Sequence, residues 1–461
     1  MIRYALVFLL IFVSPLSAEM AVPRSQAEIS MGFTPVVRET APAVVNIYAK
    51  RVVETRGGGP FSNDPFFNQL FRDFGAPQRR VQNSLGSGVI LSADGIVVTN
   101  FHVVGQATDI RVVLNDRREF SAEILLSDEE SDLAILQMEG AESLPFLTTR
   151  DSDTVQVGEL VLAIGNPFGV GQTVTSGIVS GLARSGTATG NARGYFIQTD
   201  APINPGNSGG ALVDVNGALI GVNTSILTRS GGSNGIGFAI PASLVEQFVA
   251  QARDGFEDFQ RPWAGLDGQP VDADMAEGLG LPRPGGIVVA EIHPESAFAG
   301  AGLSVGDVIT HVDGQEVNTP PEMIYRMSIA GIGAQAAVRY WHDGAEREMI
   351  VPMIAAPEGE AGPKVLTTSE ATVLPGLVVS QITPALISRL GLPLTAEGVV
   401  VANPGPYGAR VGLRAGDVLV ALNGSEIETV EQVEEVLAGA GRGLRLDVLR
   451  AGRRIVMRVR I

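Results

Sequence analysis

At 461 residues, with 45% hydrophobic and 18% charged residues, the chain has an ordinary globular composition and room for roughly three domains of ~150 residues. Its formal charge of −17 excludes a general nucleic-acid binder, which needs a basic face to displace counterions. The absence of cysteine excludes disulfides, a thiolate nucleophile and a lipid-modified N-terminal cysteine, while 56 glycines point to tight turns and β-structure.

Met1-Ile2-Arg3, an apolar run from Tyr4 to Val13 and then Ser14-Pro15-Leu16-Ser17-Ala18 form the pattern of a secretory signal peptide over residues 1–18. The run is too short to span a bilayer as a helix. No second long apolar segment follows, so the mature protein is expected to be soluble outside the cytoplasm, without a transmembrane anchor. Residues 19–40 read as an exposed arm, and strand character begins at Ala43-Val44-Val45-Asn46-Ile47-Tyr48. Residues 55–82 interrupt it, and there Phe66, Phe67, Leu70, Phe71 and Phe74 fall on one helical stripe that packs on its own domain or reaches a neighbouring subunit.

From Leu85 to Ile240 short apolar strands alternate with Gly, Asn-Gly and Asp-Gly turns, which predicts an all-β barrel architecture. Pro241 to Val249 changes to helical period and closes the domain. Past residue 260 the chain repeats itself: Ala301-Gly302-Leu303-Ser304-Val305-Gly306-Asp307-Val308-Ile309 returns as Val411-Gly412-Leu413-Arg414-Ala415-Gly416-Asp417-Val418-Leu419, two copies of one α+β fold. The expected organisation is a β-barrel unit over 19–258, a first repeat over 259–356, a linker of polar composition over 357–372 and a second repeat over 373–461. Arg442, Arg445, Arg450, Arg453, Arg454, Arg458 and Arg460 are placed on the solvent face of a final strand pair turning at Ala451-Gly452.

The chemistry concentrates in Gly206-Asn207-Ser208-Gly209-Gly210. Closely spaced glycines let the backbone turn tightly and aim amides at one point, and a serine beside such amides can attack a carbonyl while they receive the developing charge. The serine needs a base. His102, at the end of the apolar strand Val97-Val98-Thr99, is the histidine outside the repeats; His293, His311 and His342 lie in the first repeat. The base in turn needs an acid, and Asp132 at the entry of Leu133-Ala134-Ile135-Leu136 fits. The order His102, Asp132, Ser208 is that of double-barrel serine proteases. Gly165-Asn166-Pro167-Phe168-Gly169 lacks the lysine of a phosphate loop, and the scattered histidines make a metal site unlikely to form; no cofactor is expected.

TNFHVV, SDLAIL, IGNPFG, QTVTSGIVS, QTDAPINPGNSGGAL and GIGFAIP together resemble the HtrA family of serine proteases, and a signal peptide with two PDZ-like repeats resembles its periplasmic DegP/DegQ-type members. The resemblance implies a chymotrypsin-like double six-stranded β-barrel followed by two PDZ-like domains. It implies His102 as general base, Asp132 as orienting acid, Ser208 as nucleophile and the amides of Gly206 and Ser208 as oxyanion hole. Ile226 and Ile236 would line the specificity pocket; Leu227 and Phe238 surround the same region, where no acid stands, so cleavage after small or medium aliphatic residues is expected. The strand over Gly235, Ile236, Gly237 and Phe238 would pair with an unfolded substrate.

The resemblance further implies loops near 182–195 and 204–206 that order on activation, trimers that can build larger cages, and chaperone activity. C-terminal peptides would bind at Trp263-Ala264-Gly265-Leu266 in the first repeat and Pro375-Gly376-Leu377-Val378 in the second. The rival readings are a scaffold that captures peptides and cleaves little, or a stress-sensing regulatory protease. The chain departs from the family pattern in Phe101 before the histidine and in Pro375-Gly376 at the second carboxylate loop.

Overall fold

The computed structural model describes residues 32–55, 78–166, 171–185, 195–204, 206–226, 235–359, 362, 364–441 and 443–460. The signal peptide, the phenylalanine stripe at 66–74 and Leu227 lie outside these residues.

A short helix α1 (Thr34–Thr40) leads into six strands: β1 (Val44–Thr55), β2 (Gln78–Ile90), β3 (Ile96–Thr99), β4 (Asp109–Val113), β5 (Glu119–Asp128) and β6 (Leu133–Met138). They close into a barrel in the order β1-β2-β3-β6-β5-β4. Strand β4 shows why: Ile110 and Val112 point inward and are buried while Asp109 and Arg111 face solvent, the period-two pattern of a one-sided strand. Helix α2 (Phe101–Val104) follows β3 at the rim.

The second barrel comprises β7 (Leu160–Gly165), β8 (Thr173–Ser185), β9 (Tyr195–Thr199), β10 (Ala211–Asp214), β11 (Leu219–Ile226) and β12 (Gly237–Pro241), closed in the order β10-β11-β12-β9-β8-β7. Val161, Ala163, Val179, Ile197, Leu212 and Ile220 fill it. Helix α3 (Ala242–Arg253) then buries Leu244, Val245, Phe248 and Ala252, and Phe248 stacks on Phe259 with ring centroids 3.9 Å apart. The fold is mainly β, with two closed six-stranded barrels of chymotrypsin-like form.

Two further sheets follow. The first runs β13-β14-β15-β17-β18 with a short β16 beside β15: β13 (Leu266–Pro270), β14 (Ile287–Ile292), β15 (Val308–Val312), β16 (Gln315–Glu316), β17 (Gln335–His342) and β18 (Ala345–Pro352). Helix α4 (Pro320–Ala330) packs Met323 and Met327 onto its inner face. The second runs β19-β20-β21-β22-β24-β25 with β23 beside β22: β19 (Val365–Thr367), β20 (Val378–Gln381), β21 (Val399–Asn403), β22 (Val418–Leu422), β23 (Ser425–Glu426), β24 (Gly443–Arg450) and β25 (Arg453–Arg460). Helix α5 (Val430–Ala438), opened by a capping box between Thr429 and Gln432, covers this sheet.

One expectation changes here. The stretch 357–372, read as a linker, contains β19, which pairs antiparallel with β20 (Val365 opposite Ser380, Leu366 opposite Val379, Thr367 opposite Val378). Polar composition hid it, because a three-residue strand offers one inward side chain, Leu366, and no period to read. Arg445, Arg450, Arg453, Arg454, Arg458 and Arg460 do sit on a strand pair, β24 with β25, in which Arg450 opposes Arg453 across the Ala451-Gly452 turn, while Arg442 lies outside the described residues.

Candidate active site

The first barrel carries both Asp132 and His102. Asn100 ends β3 and donates from Nδ2 to the Asp132 carbonyl at 2.9 Å, tying the base-bearing rim to the acid-bearing turn. Asp132 adopts φ 54°, a left-handed conformation that Asp and Asn tolerate better than most residues. That turn aims its carboxylate at His102: Asp132 Oδ1 accepts the His102 backbone amide at 3.0 Å, and the ring Nδ1 lies 2.9 and 2.8 Å from the two carboxylate oxygens. With the Nδ1 proton directed at Asp132, Nε2 is left as the basic nitrogen. The imidazole is half-exposed and Asp132 largely covered, 51% and 21% of the side chains respectively, so the ring is reachable from solvent while its carboxylate partner is mostly shielded.

The second barrel supplies the serine. Its loop is stapled to the first barrel by Ser87, a buried residue of β2 that sequence reasoning missed. Ser87 accepts at Oγ from the Asn166 amide (2.8 Å), donates from Oγ to the Gly206 carbonyl (2.7 Å) and donates its own amide to the Ser208 carbonyl (2.9 Å). Thr99 Oγ1 donates to the Ser87 carbonyl at 2.7 Å. Gly209, at φ 82°, completes the turn; a Cβ there would stand 2.1 Å from the Ser87 carbonyl oxygen and 2.5 Å from Thr99 Oγ1, which is why the loop needs glycine. The amides of Asn207, Gly209 and Gly210 are spent on Asn204, Asn223 and Asn207 carbonyls. The Ser208 amide donates to no group among the described residues.

The link between Asp132 and Ser208 is Thr224 on β11, also missed from the sequence. Its Oγ1 donates to Asp132 Oδ2 at 2.6 Å, and its carbonyl accepts the Ser208 hydroxyl at 3.0 Å. The strand can do both because its pairing with β12 slips between Asn223 and Ile226, releasing Thr224 from the ladder. Among the described residues no hydrogen bond joins Ser208 to His102. The hydroxyl rests instead on the Thr224 carbonyl.

Of the expected substrate strand, Gly237 and Phe238 lie in β12. Gly237 is paired in the closed barrel with Thr199 of β9 on one side and Ile226 of β11 on the other, and Phe238 is paired with Gln198 of β9. The Phe238 ring is 2% exposed and packs against Phe196 in the core. Ile226 closes β11 opposite Gly237.

The barrels are clamped to the first repeat. Tyr195, the first residue of β9, stacks on Tyr325 of α4 with centroids 3.9 Å apart and planes 5° from parallel. Arg326 lies over both rings and forms an ion pair with Asp153. Burial opposes the Arg326 charge, but Asp153 together with the two tyrosines holds the guanidinium above its usual pKa; burial pushes the Tyr325 phenol well above the ordinary tyrosine range. Arg261 reaches back to Asp128 (3.1 and 2.5 Å) and to Ser131 Oγ (2.6 Å), bracing the residue next to Asp132.

In the first repeat Trp263 is buried and edge-on to His293, Gly265 sits at φ 60°, and Leu266 opens β13. In the second, Gly376 at φ 74° and buried Leu377 precede Val378, the first residue of β20. Their loop amides are already bonded to Thr368. No group of histidine, aspartate and glutamate side chains able to hold a metal occurs among the described residues, and no described helix is long and apolar enough to cross a membrane.

Residues 86–222 match the trypsin-like peptidase domain, and residues 262–353 and 398–450 each match a PDZ domain. The chain is 36% identical over 429 residues to the periplasmic pH-dependent serine endoprotease DegQ of Escherichia coli, covering 92% of this chain and 90% of that one. The chain belongs to the HtrA family of serine proteases. A Haemophilus influenzae relative, a probable periplasmic serine protease of the do/HhoA type, is 35% identical over 90% of this chain and 89% of its own. Among solved structures, the HtrA-type protease AlgW with decapeptide superposes with a TM-score of 0.52 at 40% identity, and AlgW with tripeptide with 0.54 at 38%; they cover 70% and 72% of this chain and 99% of AlgW in each case. As an HtrA protease the chain is a serine endopeptidase whose peptidase domain is followed by two PDZ domains.

Proposed function

We propose that this HtrA protease cleaves unfolded proteins of the periplasm with Ser208 as nucleophile, His102 as general base and Asp132 as the acid that orients it. The observation that carries the reading is the continuous chain of hydrogen bonds from the His102 ring through Asp132 and Thr224 to the Ser208 hydroxyl. The hydroxyl turns from the Thr224 carbonyl to His102 Nε2 and attacks the scissile carbonyl as its proton passes to the imidazole. The amides of Gly206 and Ser208 receive the oxyanion, and the imidazolium, held by Asp132, returns its proton to the leaving amine. Ile226 and Ile236 favour aliphatic residues before the cut, since a basic side chain would meet no acid there.

Cleavage is gated. The serine resting on Thr224 is one state of the gate, and the Tyr195–Tyr325 stack gives the first PDZ domain a grip on β9, which pairs with β12 beside the substrate stretch. Peptide C-termini captured by that PDZ domain bias the gate, and assembly into trimers concentrates the sites. The protease unit spans 19–258 and the first PDZ unit 259–356, while the second begins with β19 rather than at residue 373. The test compares the chain with Ser208→Ala on a reduced, unfolded protein, with fragments identified by mass spectrometry. Removing the nucleophile costs on the order of a millionfold in turnover. Fragments ending in aliphatic residues from the parent chain alone are expected. An intact substrate in both cases, with aggregation suppressed, would replace the protease reading by that of a peptide-capturing chaperone.

A further inference from the structure

The two PDZ domains differ at the place where a PDZ domain takes its ligand. Such a ligand adds as an extended strand to a sheet edge, and its terminal carboxylate is held by backbone amides. In the first domain that edge is β13, beside α4, and no strand among the described residues pairs with its outer side. The Ala264 and Gly265 amides, in the loop leading into β13, donate to no group among the described residues.

In the second domain the corresponding edge, β20 beside α5, is already filled. Strand β19 runs antiparallel to it over Val365–Thr367. The ladder continues at both ends: the Gln381 amide donates to the Lys364 carbonyl and the Thr368 amide to the Leu377 carbonyl, both at 2.9 Å. Leu366 turns inward onto the apolar cluster that contains Val379, Val433 and Leu437, as a ligand's apolar anchor would. At the far end the buried Thr368 sits against the carboxylate loop. Its carbonyl accepts the Gly376 amide at 3.1 Å and its Oγ1 accepts the Leu377 amide at 3.0 Å. Two oxygens of one residue thus take the two loop amides that a terminal carboxylate would take, and the strand runs in the direction that brings a C-terminus to that loop.

We infer that the chain carries its own ligand for the second PDZ domain: Lys364–Thr368 occupies the peptide groove in the pose of a bound C-terminus, with Thr368 as the carboxylate mimic. The inference rests on reading both repeats as peptide-binding domains. It makes peptide capture the work of the first domain alone, and it ties the connector between the domains to the second. Because the internal ligand is tethered, it competes at an effective concentration of about millimolar. An outside peptide of ordinary affinity is therefore kept out until the strand is pulled away.

The experiment uses the full chain and a photo-crosslinking decapeptide that ends in three apolar residues, with crosslinks mapped by mass spectrometry. Three forms are compared: the parent chain, a released form (Leu366→Asp with Thr368→Gly), and a locked form (Thr367→Cys with Val378→Cys, oxidised), clean because the chain has no cysteine. Crosslinks to the β13–α4 groove in all three forms are expected. Crosslinks to the β20–α5 groove should appear only on release, with capture there strengthened about tenfold or more. Capture by the second groove in the parent or locked form overturns the inference. So does a released form whose β22 and β24 amides stay protected, showing it folded, yet whose second groove still takes no peptide. Should no form capture the probe at either groove, the peptide-capture reading falls instead. Hydrogen exchange then decides the internal ligand separately: protection of the Gly376 and Leu377 amides, lost on release, upholds it, and unprotected amides in the parent chain refute it.

Discussion

Thr224→Val isolates one hydrogen bond of the site. Valine keeps the shape of threonine at a position that is 6% exposed, and it leaves the main-chain carbonyl on which the Ser208 hydroxyl rests. What disappears is the 2.6 Å donation from Oγ1 to Asp132 Oδ2. Hydrogen bonds to a charged group are worth about 1.5–3 kcal/mol. Asp132 then keeps the two N–H donors of His102 and is freer to swing, so the imidazole is less firmly held as it becomes positively charged. If most of that energy is expressed in the transition state, kcat/KM falls about 10- to 100-fold, mainly through kcat. Initial rates on a reduced, unfolded protein over a range of concentrations measure this, and thermal melting checks that the fold persists. Thr224→Ser, which keeps the donor, should retain most of the activity. A valine variant within about twofold of the parent chain, or a serine variant as slow as valine, would refute the account.

Gly209→Ala places a Cβ 2.1 Å from the Ser87 carbonyl at a backbone angle that alanine resists; the loop must move, and cleavage should be lost while circular dichroism shows both barrels intact. Arg326→Met and Asp153→Asn, with their double variant, should show coupling of about 1–3 kcal/mol in thermal unfolding, because either change leaves the other partner's charge covered and unpaired; additive effects would dissolve the clamp. His311, held below its usual pKa by burial and then by Arg339, titrates near 6.5 in the unfolded chain. Its neutral form is favoured by the fold, so the contribution to stability is complete above that value and declines as pH falls through it. Melting of His311→Gln should therefore lose less between about pH 7.5 and 5.5 than melting of the parent chain; equal losses would count against it.

The sequence made the two barrels legible because their strands carry strong local signals, such as the alternation of Asp109 to Val113 and the unbroken apolar run from Leu133 to Leu136. The residues of the candidate triad were legible because chemistry restricts them to a few types in short motifs. Ser87 and Thr224 were not. Each acts through position, a hydroxyl placed where two barrels meet, and serine and threonine on strands are too common to mark such a place. The pairing of the expected substrate strand was not legible for a related reason: Gly235 to Phe238 reads as one apolar segment, and only the barrel shows that Gly237 pairs with both Thr199 and Ile226 while Phe238 pairs with Gln198 alone.

The repeats show what kind of information a motif carries. Asp307 and Asp417 are both buried and both cap the same turn, accepting the Ser304 amide at 2.8 Å and the Arg414 amide at 2.9 Å. Gly306 and Gly416 precede them at φ 95° and 86°. A buried carboxylate tied to a turn has few substitutes, so the two copies stay alike where they perform the same structural task. Even the partners of the cap diverge: His342 faces Asp307 at 2.6 Å, whereas Arg450 grips Asp417 with two nitrogens at 2.6 and 2.7 Å. Ligand access diverges further, through β19 and Thr368, which have no counterpart in the first domain and no motif of their own. A three-residue strand bonds through its backbone, and almost any side chains permit that. The internal repeat is thus a sound guide to scaffold and a poor one to which groove is open, and edge pairing rather than motif identity is the property to compare between the two PDZ domains.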